Sequence, residues 1–140
     1  MKGEQRTAFL AATYGTGSER FQLVTHPCVA ALSWAAGTWV IVTAWNPGGQ
    51  PQSEADNRRA EQKLLALLVS HPHLPAVNGE GEWAEPSVIL PGLGLRLAAD
   101  LAWRFGQAAV LFGVGQRVAL VWLNRDGVRL ERFWAQRSEH

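Results

Sequence analysis

Five polar residues stand beside turns or at the edges of apolar runs, where amides, hydroxyls and carboxylates can orient a ligand or move a proton: Asn46, Asn57, Glu85, Ser87 and Gln107. Glu85 follows Trp83-Ala84 and precedes Val88-Ile89-Leu90. A carboxylate partly withdrawn from water there should have a raised pKa and serve as general acid or base. A salt bridge to Arg58 or Arg59 is its competing role. Ser87 lies in no nucleophile-elbow sequence and is read as a hydrogen-bond donor. Asn57 projects, at ~100° per residue, onto the middle of the stripe Ala60-Leu64-Leu68. An amide buried there must be paired, because an orphaned one costs about 1–3 kcal/mol. It either orients a ligand or ties the 46–52 loop to its helix. Glu61, one turn on, lies close to the same face. Asn46 either meets a ligand or makes an Asx turn before Pro47. Arg58 and Arg59, near a helix N-terminus, are the residues to hold an anion. Gln107 follows Gly106 and donates to a ligand or to backbone.

The elements that must position these residues centre on Thr38 to Leu68. Trp39 to Trp45 is β-branched and aromatic, which predicts a central strand buried on both faces. Asn46-Pro47-Gly48-Gly49 must leave the sheet. Ser53 caps the following helix, with Asp56 as the acidic half of a capping box, and the helix is expected to end near His71-Pro72. Before this unit, Gln5 to Tyr14 reads as a short helix, Phe21 to Val24 as an edge strand, and Val29 to Gly37 as a helical turn or a loop packed under the sheet. After it come a very short strand at Ala76 to Asn78, a strand from Glu85 to Leu90 and a helix from Leu95 to Phe105. Strands at Ala108–Phe112, Val118–Leu123 and Val128–Trp134 complete the chain, with Asn124-Arg125-Asp126-Gly127 as a hairpin turn.

The chain of 140 residues fits a single globular domain, 1–140, and its 47% hydrophobic content is that of an ordinary soluble protein. A net charge of +1 gives no general case for nucleic acid or an anionic membrane. One cysteine, Cys28, excludes an intramolecular disulfide. The polar Met1 to Arg6 and the lack of a long apolar run point to a cytoplasmic protein. His71 and His73 offer two metal ligands with no third nearby, so no metal and no cofactor is assigned. There is no phosphate-binding G-x-x-x-x-G-K-[ST] loop. Five arginines between Arg117 and Arg137, with Trp134 among them, could stack bases, but a solvated hairpin face or a homo-oligomer edge accounts for them better.

The order β-α-(β)-β-α-β suggests a ferredoxin-like two-layer α+β sandwich: a mainly antiparallel sheet, two helices on one face and an added C-terminal hairpin. In such a sheet Asn46, the first turn of the helix, Glu85, Ser87 and Gln107 meet at one rim. Four segments that hold these residues also resemble the bacterial domain of unknown function 3293 family: Thr43-Ala44-Trp45-Asn46-Pro47-Gly48, Asp56-Asn57-Arg58-Arg59, Trp83-Ala84-Glu85-Pro86-Ser87 and Phe105-Gly106-Gln107-Ala108-Ala109. Asp56 stands where the family favours Glu, and Val29 to Gly37 is longer than usual. The resemblance implies no established activity. The expected function is binding of a small polar or anionic ligand, or an enzyme acting on a nucleotide or phosphate-bearing metabolite. There Asn46 and Asn57 orient, Arg58 or Arg59 holds the anion, Ser87 and Gln107 donate, and Glu85 transfers protons. The alternative is a non-enzymatic interaction module that works through homo-oligomers, a protein partner or single-stranded nucleic acid.

Overall fold

In the computed structural model, which describes residues 2–29 and 31–138, α1 (Lys2–Ala11) leads into β1 (Thr13–Gly15) and β2 (Arg20–Val24). Then come β3 (Thr38–Val42), α2 (Glu54–Leu67), β4 (Leu74–Asn78), β5 (Glu85–Pro91) and α3 (Leu95–Arg104). The strands β6 (Ala109–Val114), β7 (Arg117–Asn124) and β8 (Gly127–Arg137) close the list. All eight strands form one antiparallel sheet in the order β1-β2-β8-β7-β6-β3-β5-β4.

This sheet coils until its edges meet. The Gly79 amide donates to the Thr13 carbonyl at 2.8 Å, joining the end of β4 to β1. The buried Arg20 guanidinium completes the seam. It donates to Gly15 O, Thr13 O and Thr13 Oγ1 on one side and to Val77 O and Gly79 O on the other, all at 2.9–3.0 Å. The result is a nearly closed barrel with three helices, not the ferredoxin-like two-layer sandwich with two. The expectation failed because the flanking segments do not decorate a four-stranded core. They extend the sheet far enough for its right-handed twist to bring the edges together.

Alternation along the strands sends one set of side chains outward and one inward. Outward-facing Val40, Val42, Val88, Leu90 and Val110 meet Leu64 of α2, Leu68 at its C-terminal cap, and Ala98 and Ala102 of α3. The inner set, Trp39, Ile41, Ile89, Leu111 and Leu120, packs with Tyr14, Phe21 and Trp34, and α1 adds Phe9 and Leu10. Each buried aromatic withdraws ~150–250 Å² from water, roughly 4–6 kcal/mol of gross stabilisation at ~25 cal/mol/Å². Gly113 makes room for Trp39, since a Cβ there would lie 2.1 Å from the indole.

Local differences follow from closure. Tyr14 leaves the helix and joins β1, fully inside. β2 is interior, between β1 and β8, and not an edge. Between residues 31 and 37 the chain is a loop whose Leu32, Trp34 and Ala35 fill the inner core. Ser53 caps α2 as its sequence predicts, accepting from the Asp56 amide at 3.1 Å. The helix stops at Leu67, before His71.

Candidate functional site

β3 lies between β5 and β6 and runs antiparallel to both. Its exit therefore meets the starts of both neighbours, which brings Asn46, Glu85 and Gln107 to one rim. Pro47 and the glycines after it turn the chain away in a single 3₁₀ turn. Asn46 enters that turn at φ 47, the one non-glycine residue with positive φ among the described residues. A residue held in this sparsely populated region requires over-determination by its surroundings, and three partners provide it. The Asn46 backbone amide donates to Asn57 Oδ1 at 2.9 Å. Its side-chain Oδ1 accepts from Asn57 Nδ2 at 3.0 Å and from the Gln52 amide at 3.1 Å. Its Nδ2 donates to Glu85 Oε2 at 2.7 Å.

Asn57 is buried, as the helical projection predicts. Its Oδ1 also accepts from Gln52 Nε2 at 2.8 Å, so its amide is committed to tying the loop to α2. The tie is what the geometry shows for this residue. Gln107 likewise holds backbone, donating to Trp45 O at 3.1 Å and Phe105 O at 3.3 Å.

These residues border a cleft of about 800 Å³ between α1, the 46–52 loop, the Asn78–Glu85 segment and the start of β6. Glu85 stands on its wall. Burial raises its pKa from the ordinary 4.5, and the Asn46 hydrogen bond opposes that rise. Tyr14 lies nearby, its phenol donating to Phe9 O at 2.6 Å; burial first and the Glu85 charge second push its pKa up. A carboxyl whose burial favours the protonated form can give a proton to, or take one from, a molecule in the cleft.

Three expected members stand elsewhere. Ser87 is buried one pleat beyond Glu85 on the same face of β5, and its hydroxyl has no hydrogen-bond partner. Arg58 stacks on Trp45 at 5.2 Å and approaches Glu54 and Glu61. Glu61 accepts from Trp45 Nε1 at 2.9 Å, on that same side. Arg59 pairs with Asp56 and borders a separate outer groove with Lys63 and Arg104. No arginine pairs with Glu85. The contributions of Gln5, Phe9 and Tyr14 were not read from the sequence. Gln5 donates to Gly48 O at 2.8 Å, pinning α1 over the loop, and no local pattern announces a contact across 43 residues.

A family model described as "Protein of unknown function (DUF3293)" matches residues 42–110. Over these 69 of its 140 residues the chain is similar to this family. The matched segment holds Asn46, Asn57, Glu85, Ser87 and Gln107, whereas α1 and β1, which help line the cleft, and Arg20, which closes the barrel, lie outside it. No curated protein and no solved structure matches the chain. Among the described residues, no helix is long and apolar enough to cross a membrane.

Proposed function

We propose that this protein binds a small polar molecule in the cleft, with Glu85 as the group that recognises it and exchanges protons with it. The observation that carries the proposal is a half-buried carboxylate, held by a residue at positive φ, on the wall of an open cleft about 800 Å³ in volume. That volume suits a metabolite-sized ligand. A phosphate-bearing ligand or nucleotide fits the cleft less well than the sequence suggests, because neither Arg58 nor Arg59 lines it.

Ala8 of α1 is exposed and borders the cleft, so Ala8→Trp fills it without touching the core. In a fragment screen by ligand-observed NMR, wild type should bind members of the set and Ala8→Trp should lose them. Fragments that bind both proteins equally would place recognition elsewhere. The alternative, an interaction module, draws support from Leu67 of α2 and Leu97 and Trp103 of α3, exposed at 43%, 57% and 56%. A mass that rises with concentration in light scattering, and falls with Trp103→Ser, would favour it.

A further inference from the structure

We propose that the cleft selects a ligand carrying a protonated, hydrogen-bond-donating nitrogen group, an amidinium, guanidinium or ammonium, seated against Glu85. This rests on the cleft reading above and adds the ligand's charge and hydrogen-bonding polarity.

Many donors of the cleft wall are engaged within the protein. Asn46 Nδ2 is bound to Glu85, Gln5 Nε2 to Gly48 O, Gln52 Nε2 to Asn57 Oδ1, and Gln107 Nε2 to two carbonyls. The Tyr14 and Thr43 hydroxyls donate to Phe9 O and Pro86 O. Acceptors, by contrast, are left over. Asn78 stands opposite Glu85 in the β4–β5 register, and its Oδ1 is buried without a partner. Glu85 uses Oε2 for Asn46, and among the described residues no donor reaches Oε1.

Charge points the same way. Glu4, Glu54, Glu82 and Glu85 border the cleft, and among the described residues no lysine, arginine or histidine does. A carboxylate in a partly desolvated wall strengthens its bond to a cation. Phe9, Tyr14 and Ile41 supply an apolar wall for the body of such a ligand.

Three probes of one shape separate these properties: benzamidine, benzamide and benzoate, titrated into the ¹⁵N-labelled protein and followed by amide shifts. Benzamidine should move the amides of Asn78 to Glu85 and bind at least ~10-fold more tightly than benzamide, with benzoate weakest. Glu85→Gln should reduce benzamidine affinity at least ~10-fold while leaving the amide spectrum folded. The wild-type comparison stands even if that variant does not fold. Benzamide or benzoate binding as tightly as benzamidine, with shifts in the same segment, would overturn the charge preference and leave the cleft reading intact. No shift in that segment from any probe would overturn both.

Discussion

Replacing Arg20 with methionine removes the guanidinium that seals the barrel and keeps most of the apolar stem. Five acceptors within 3.0 Å then lose charge-assisted bonds, and a sixth, Thr16 O, loses one at 3.3 Å. At about 1.5–3 kcal/mol each, the five short bonds amount to roughly 8–15 kcal/mol gross. Most of this is offset, because the variant no longer withdraws a cation from water and the rim carbonyls Val77 O and Gly79 O can rehydrate. The net loss should be about 3–5 kcal/mol, the usual result of removing one partner from a buried ionic network. Against a total stability of ~5–15 kcal/mol, that is a large share. At ~2–4 °C per kcal/mol, the melting temperature should fall by about 6–20 °C. Urea unfolding followed by tryptophan fluorescence measures the loss, and hydrogen exchange at the Gly79 amide reports the seam directly. Arg20→Lys, with a point charge in place of the planar fork, should recover less than half. A loss below about 1 kcal/mol with Gly79 still protected would refute the assignment of Arg20 as the closing residue.

Three further outcomes follow from the same coordinates. Burial holds the Glu85 pKa above 4.5, so its contribution to stability is full below that value and is lost as pH rises through the raised one. Glu85→Gln should therefore gain stability relative to wild type between about pH 4 and pH 7 in paired urea titrations, and a flat or reversed difference would contradict this. Asn57→Ala orphans the Asn46 amide and Gln52 Nε2, and should cost about 1–3 kcal/mol in chemical denaturation. Gly113→Ala forces a methyl into the Trp39 ring and should cost at least ~1–3 kcal/mol, visible as a lowered melting temperature and an altered near-UV tryptophan spectrum.

The strand–turn–helix unit from Thr38 onward was legible because each signal is local: a β-branched run, an Asn-Pro-Gly-Gly break and a serine cap. Burial of Asn57 was legible from helical geometry alone. So was the meeting of Asn46, Glu85 and Gln107, since it needs only β3 to run antiparallel to its two neighbours. Closure was not legible. It depends on Arg20 reaching carbonyls 57 and 59 residues away, and no periodicity encodes such a reach. The arginines of α2 misled for a related reason. Asp56, Glu54 and Glu61 lie within one helical turn of them and claim both side chains on the outer surface.

The position of β8 has a consequence for how the protein is made. It is inserted between β2 and β7, so β2 lacks its second strand partner until Gly127–Arg137 has left the ribosome. One edge of β2 must wait unpaired through most of synthesis. A pause in translation late in the message would prolong that wait, at the stage when unpaired strands are most prone to join other chains.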